Sequence, residues 1–197
     1  MLLHLMRHGE TAGGARYWGA TDVALSWRGW RQMRAAVAGQ SWDLIVSSPL
    51  RRCAPFAEAL ARELNVPCRQ EADLREMSFG DWDGRSASEI LKTDAERLRN
   101  FWEDPCRDSP PGGESLQGLR SRVTAVCRRI VADREHRRVL LVTHAGPIRL
   151  LQAERLGTPL SNLLSIDVPH GSLITINCLT DGSAAPVPGT SILGGTA

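Results

Sequence analysis

The chain has 197 residues, 42% of them hydrophobic and 23% charged, with a formal net charge of +2, a composition that supplies one substantial core of the soluble globular kind. A balance so near neutrality argues against a broad basic face for nucleic acid, and no run approaches the ~18 apolar residues of a membrane span. Lys92 is the only lysine among the 24 basic residues, which leaves little scope for Schiff-base chemistry and ample arginine for clamping oxyanions.

The first predicted element is a buried strand over residues 2–6, ending in Arg7-His8-Gly9-Glu10-Thr11. A histidine beside an arginine is a poor core element, but it suits the carboxyl end of a strand, where ligands of open α/β sheets gather. Ser26 is placed to cap a helix with Trp30, Met33 and Val37 on one stripe. A second strand over 43–46 leads into Ser47-Ser48-Pro49-Leu50-Arg51-Arg52 and a helix over 51–64 with Phe56, Leu60 and Leu64 inward. Residues 72–113 break this rhythm with Trp82, Trp102, several prolines and Gly112-Gly113, and read as a helix-bearing insertion over the sheet's mouth. Residues 115–133 carry Leu116, Leu119, Val123, Val126 and Ile130 at intervals of three and four, the clearest amphipathic helix of the chain. Residues 139–143 form the next strand, ending in His144-Ala145-Gly146 and a helix with Ile148, Leu151 and Leu156 inward. The last apolar runs, 163–168 and 173–178, flank Pro169-His170-Gly171 and read as an edge hairpin.

This alternation predicts an α/β three-layer sandwich, a mostly parallel sheet with helices on both faces. One domain is expected over 1–180, followed by a Gly/Ala/Pro-rich tail at 181–197. Cys53, Cys68, Cys106, Cys127 and Cys178 are odd in number and lack a C-x-x-C pair; they fit buried thiols of a reducing compartment. With no signal-type N-terminus, a cytoplasmic location is expected.

Three segments are able to meet Arg7-His8 at the sheet edge: Ser48 to Arg52 at a helix N-terminus, His144 with its small-residue turn, and Glu76 in the aromatic stretch that contains Phe79 and Trp82. Apolar surroundings there would raise a carboxyl pKa toward that of a general acid. Singly, each has a plain explanation. His4 fits the core or the surface, His136 a charged surface, and His170 a turn beside the pocket rim. Repetition is what separates the set from chance, since two strand ends deliver a histidine before a small residue and a third delivers arginines.

Arg7-His8-Gly9-Glu10, Ser48-Pro49-Leu50-Arg51-Arg52, Glu76 and His144-Ala145-Gly146 together resemble the histidine phosphatase superfamily, with its phosphoglycerate-mutase-like fold. Phe79-Gly80-Asp81-Trp82-Asp83-Gly84 and Pro110-Pro111-Gly112-Gly113-Glu114-Ser115 are similar to the small bacterial branch that includes α-ribazole phosphatase of cobalamin nucleotide-loop assembly. The resemblance implies a metal-independent phosphomonoester hydrolase without cofactor. His8 would be the nucleophile and Glu76 the proton donor. Arg7, Arg52 and His144, the last as an imidazolium, would hold the phosphoryl group, with Gly14 and Ala145 lining its site. Gly14 stands where relatives often carry asparagine; Arg16 or a backbone N–H would then replace that contact, and the Gly13-Gly14 pair would let backbone approach the substrate. The implied partner is a small-molecule phosphate ester, with a homodimer as the one assembly considered. A phosphoglycerate mutase and a non-catalytic phospho-ligand module are the alternatives. Trp18, Trp82 and Trp102 are candidates for stacking on a flat base.

Overall fold

Strands that are apolar on both faces require helices on each side of the sheet, and the computed structural model of the chain has that arrangement. It describes residues 1–133 and 135–177; Cys178 and the expected tail at 181–197 lie outside the described residues. Five strands, β1 (Leu2–Arg7), β2 (Leu44–Ser47), β3 (Cys68–Gln70), β4 (Arg138–Thr143) and β5 (Leu173–Asn177), form one sheet in the order β3-β2-β4-β1-β5. The β1, β2, β3 and β4 pairings are parallel, and β5 runs antiparallel on the edge of β1.

The central strands send alternate side chains into two cores. Met6, Ile45, Leu140 and Val142 face α1 (Trp27–Val37) and α2 (Ala54–Leu64), joining Met33, Val37, Phe56 and Leu60. Leu3, Leu5, Leu44, Val46, Val139 and Leu141 face the other way. They meet α5 (Leu116–Ala132), α6 (Ala145–Leu156) and the 72–113 segment, which holds α3 (Ala87–Leu91), α4 (Ala95–Glu103) and two 3₁₀ turns. Ser26 caps α1 by accepting the Gly29 N–H at 3.0 Å. Every predicted inward residue of α5 is buried. The fold is α/β with a mostly parallel sheet, as the alternation predicts.

Four local readings are corrected. Residues 163–168 are not a strand. A 3₁₀ helix over Leu160–Ser165 packs there against α6, and β5 pairs with β1 instead of forming a hairpin. A short apolar run cannot distinguish a buried strand from a buried helical turn, and the open edge of β1 offered β5 a better ladder. Strand β3 escaped notice because its residues Cys68, Arg69 and Gln70 are half-buried to exposed and carry no hydrophobic alternation. On α6 the buried positions are Ala145, Pro147, Ile148, Leu150 and Ala153, whereas Leu151 is half-buried and Leu156 is 63% exposed. Leu156 is the last helical residue before the left-handed Gly157 cap, and that turn reaches past the packed face. Trp82 is completely buried and donates its indole N–H to Asp94, so it is a core residue with no face for a ligand.

Candidate active site

Parallel register puts the chemistry side by side. Arg7 of β1 pairs with Thr143 of β4, and Ser47 of β2 with Val142 of β4, so three neighbouring strands end at one level. The next residues are held there by backbone bonds, His8 N–H to the Thr143 carbonyl at 3.0 Å and Ser48 N–H to the Val142 carbonyl at 2.9 Å. The His8 and His144 rings therefore lie 5.1 Å apart, and His170, in the turn before β5, sits 5.6 Å from His8. The glycine after His8 is sterically required: a Cβ at Gly9 would lie 2.2 Å from the Gly29 carbonyl oxygen, where α1 crosses the loop.

Hydrogen bonds fix the tautomers. His8 Nδ1 lies 2.7 Å from the Gly9 carbonyl, an acceptor, so Nδ1 carries the proton and the Nε2 lone pair is free. Arg52 Nε donates to His144 Nδ1 at 3.1 Å, which obliges His144 to carry its proton on Nε2, 2.8 Å from Ser48 Oγ. Burial pushes both imidazoles well below their ordinary value of 6.5; the Gly9 carbonyl partly opposes this at His8, and the Arg52 charge adds to it at His144. His144 in the free protein is thus a neutral ring accepting from arginine. The expected imidazolium is not what the fold builds. His170 is lowered to about 4, first by burial and then by the adjoining Arg7. Its Nε2 lies 3.0 Å from Arg7 Nη2, a donor only, so His170 is the acceptor.

These shifts have a testable consequence. The folded pKa values of His8 and His144 lie below the unfolded value, so on acidification the unfolded chain takes up protons first and stability is lost as pH falls below about 6.5. At ~1.4 kcal/mol per pH unit for each ring, urea unfolding should show a loss of roughly 2–3 kcal/mol between pH 7 and 5.5. An unchanged urea midpoint over that interval would contradict the buried neutral pair.

The cations are the most informative part of the site. Arg52 is 0% exposed, and four of its five N–H groups are committed, to His144 Nδ1 and to the carbonyls of Thr21, Trp18 and Gly19. Arg7 donates to the Val168 carbonyl and to His170, while its buried Nε–H has no partner among the described residues. Neither guanidinium has a carboxylate within ion-pair distance among the described residues. Burial lowers Arg7 to about 10 and lowers Arg52 as well. Buried charges are ordinarily paired, and the buried Arg52 and half-buried Arg7 guanidiniums beside a free imidazole nitrogen form a charge arrangement that an anion would satisfy. Arg51, the neighbour of Arg52, is exposed, and its backbone N–H goes to Asp22.

Glu76 reaches the same place from the 72–113 segment. Its carboxylate accepts the N–H groups of Met77 and Gly146, at 3.0 and 3.1 Å. Its setting is therefore part backbone donor and part apolar cavity, not the wholly apolar environment expected. The glycine of His144-Ala145-Gly146 is explained here too, since a Cβ at Gly146 would stand 2.3 Å from Glu76 Oε1. Arg122 on α5 holds the segment by donating to the carbonyls of Asp73, Arg75 and Glu76 while paired with Glu114. Thr143 Oγ1 adds a bond to the Leu74 carbonyl at 2.7 Å. Sequence reasoning did not find Arg122, which looks like any charged residue on the polar side of an amphipathic helix.

Two expectations fail locally. Gly14 is exposed at φ +73; its N–H goes to the Thr11 carbonyl and its own carbonyl accepts from Thr11 Oγ1 and Trp18 Nε1. Both backbone groups are spent within the loop, so Gly14 offers no donor to a phosphate. Gly13 makes room for the Trp18 ring, which a Cβ there would meet at 2.3 Å. Arg16 points elsewhere, to Glu89 and the Gly84 carbonyl. Ala145 is buried in the first turn of α6, where helical N–H groups lack intrahelical partners and favour anions. Asp133, Glu135 and His136 group their ligand atoms within 4.8 Å. They precede the amino end of β4, at the opposite end of the sheet from His8.

Residues 3–186 match the profile of the histidine phosphatase superfamily, branch 1. The chain is 31% identical over 184 residues to the adenosylcobalamin/alpha-ribazole phosphatase of Escherichia coli, covering 90% of this chain and 91% of that protein. It is 36% identical over 172 residues to a glucosyl-3-phosphoglycerate phosphatase of Mycolicibacterium vanbaalenii, covering 81% and 76%. The crystal structure of the alpha-ribazole phosphatase from Shigella flexneri superposes with a TM-score of 0.83 at 28% identity, covering all of both chains.

Proposed function

Because the chain belongs to branch 1 of the histidine phosphatase superfamily and is a phosphatase, we propose that it hydrolyses phosphomonoesters through a phosphohistidine on His8, with α-ribazole 5′-phosphate as its substrate. The observation that carries this reading is the buried guanidinium of Arg52 and the half-buried one of Arg7, neither with a carboxylate partner among the described residues and the latter with a buried, unpartnered Nε–H, beside the free Nε2 of His8.

In this mechanism the ester phosphate takes up the Arg7 Nε–H and the remaining Nη1–H of Arg52, with the His144 ring and the Ala145 N–H at its edge. Preorganised donors of this kind stabilise charge on the equatorial oxygens without reorganising during the reaction. His8 Nε2 attacks phosphorus in line, a P–N bond forms and the P–O bond to the leaving group breaks. The Gly9 carbonyl stabilises the positive charge that develops on the ring. Glu76 gives its proton to the departing alkoxide. The resulting carboxylate then takes a proton from the water that attacks the phosphohistidine, releasing inorganic phosphate and restoring His8.

The space beside Glu76 supports this choice of substrate. A cavity of about 570 Å³ opens there, walled by Tyr17, Phe79, Phe101, Trp102, Leu119 and Leu163. Aromatic and aliphatic walls favour a flat heterocycle over the hydroxyl-rich glucosyl glycerate ester on which a relative acts. The test compares kcat/KM for α-ribazole 5′-phosphate, glucosyl-3-phosphoglycerate, phosphoserine and 3-phosphoglycerate, with rapid quenching into base to trap acid-labile phosphate on His8. The ribazole ester should be hydrolysed fastest, by ~10-fold or more. Faster turnover of a carboxylate-bearing ester would overturn the substrate. Conversion of 3- to 2-phosphoglycerate outpacing phosphate release would make the protein a mutase.

A further inference from the structure

The cavity beside Glu76 contains a cation that the mechanism above does not use. Arg149 lies on α6 three residues after Gly146, so it shares a helix face with the glycine whose N–H holds Glu76. It is half-buried and lines the cavity together with Glu76. Its Nε donates to the Ile166 carbonyl at 2.8 Å, which fixes the plane of the guanidinium. The terminal nitrogens Nη1 and Nη2 have no partner among the described residues, and no carboxylate lies within ion-pair distance there. Its charge is near enough to Arg7 to help lower that group.

The other polar groups of the cavity are largely spoken for. The Trp102 indole N–H is donated to Tyr17 Oη at 2.8 Å, so this tryptophan offers a ring face and no donor. Ser165 Oγ donates to the Asn162 carbonyl, and Glu76 accepts from backbone. What remains is an apolar, aromatic chamber with the Tyr17 O–H as a neutral donor and one charged set of donors, an arginine fork held in a fixed plane. A ligand that covers this half-buried guanidinium without accepting from it would leave it buried and unpaired, which is unfavourable.

Resting on the reading of Glu76 as the group beside the leaving oxygen, we infer that Arg149 is a specificity-determining residue for the leaving group. It donates to a hydrogen-bond acceptor set in the flat, apolar body of the ester, while the aromatic walls take the ring faces. The preferred substrates are therefore phosphomonoesters of ring-bearing alcohols with an acceptor atom in the ring, and an equally large ring without one is disfavoured. A site built to donate discriminates strongly against a ligand that cannot accept, because its polar groups are then buried unpaired.

The test uses two esters of equal size, 6-quinolinyl phosphate with a ring nitrogen acceptor and 2-naphthyl phosphate without one, on wild type and R149M. Methionine retains an unbranched apolar stem and removes the fork. Wild type should favour the quinolinyl ester by ~10-fold or more in kcat/KM, chiefly through KM. R149M should abolish that preference while hydrolysing the naphthyl ester within ~3-fold of wild type. An unchanged preference in R149M, or an equal loss on both esters, would overturn the assignment, the second by showing a general role in holding the site. Neither probe contains a ribose, so the result is independent of whether α-ribazole 5′-phosphate is the best substrate, and residual naphthyl phosphate turnover reports separately on the phosphatase machinery.

Discussion

His8→Ala should lower kcat/KM for p-nitrophenyl phosphate by ~10³-fold or more in the presence of EDTA, with no acid-labile phosphate trapped on the protein. The expectation rests on there being one free imidazole nitrogen of the right kind. His144 has Nδ1 occupied by Arg52 and Nε2 by Ser48, and the lone pair of His170 Nε2 accepts from Arg7. Among the described residues, His8 alone presents an unoccupied lone pair beside guanidiniums that lack a carboxylate partner. Its depressed pKa keeps that lone pair available at and below neutral pH, so the acid limb of the wild-type rate profile should lie below pH 6.5. Equal rates for wild type and variant would remove the nucleophile from His8 and the mechanism with it.

Arg52→Leu is expected to separate activity from stability. The lost side chain leaves four acceptors without their donor: His144 Nδ1 and the carbonyls of Thr21, Trp18 and Gly19. At ~1–3 kcal/mol for each buried group, that alone would be severe. Two effects act against it. Thr21 is exposed and Trp18 half-buried, so water can replace part of what is lost. Removing a buried cation that has no carboxylate also recovers several kcal/mol of desolvation. The two sides nearly cancel, and urea unfolding should change by no more than ~2 kcal/mol. Catalysis has no such compensation. Removing a preorganised donor from the phosphoryl oxygens should lower kcat/KM by ~10²–10³-fold, and inorganic phosphate should no longer raise the melting temperature. Activity within ten-fold of wild type, or a loss matched by global unfolding, would show that Arg52 serves the loop and not the anion.

The opposite possibility, that the unpaired arginines are an accident of surface charge, is answered by their position. Surface cations are solvated and cost nothing to leave alone, whereas Arg52 is completely buried and the Arg7 Nε–H is buried with no partner among the described residues. A chain with 22 acidic residues had ample means to neutralise both. Folding that keeps them unpaired sacrifices stability for a function that needs the charge.

Much of this was legible in the chain. Arg7-His8-Gly9, Arg51-Arg52 and His144-Ala145-Gly146 each follow an apolar run of strand length, and a parallel sheet brings such strand ends to one edge by topology alone. Other features carried no such mark. Strand β3 has no alternation to detect, and the 163–168 run is apolar in a way that fits two structures equally. The six tryptophans look alike in the sequence, yet Trp82 fills the core and Trp102 walls the cavity. Gly14 suggested a backbone approach to substrate, whereas its left-handed φ and its bonds to Thr11 and Trp18 make it part of a self-contained turn.

Periodicity and residue chemistry, both local properties, were sufficient to specify the layered architecture and the groups that would gather at its edge, because strand ends of a parallel sheet meet wherever the intervening helices pack. The protonation of His144, the solitude of Arg52 and the free fork of Arg149 had no local signature. Each depends on which groups from distant parts of the chain come within hydrogen-bond range and on how much water they exclude, and those distances exist only once the two cores have closed on the sheet.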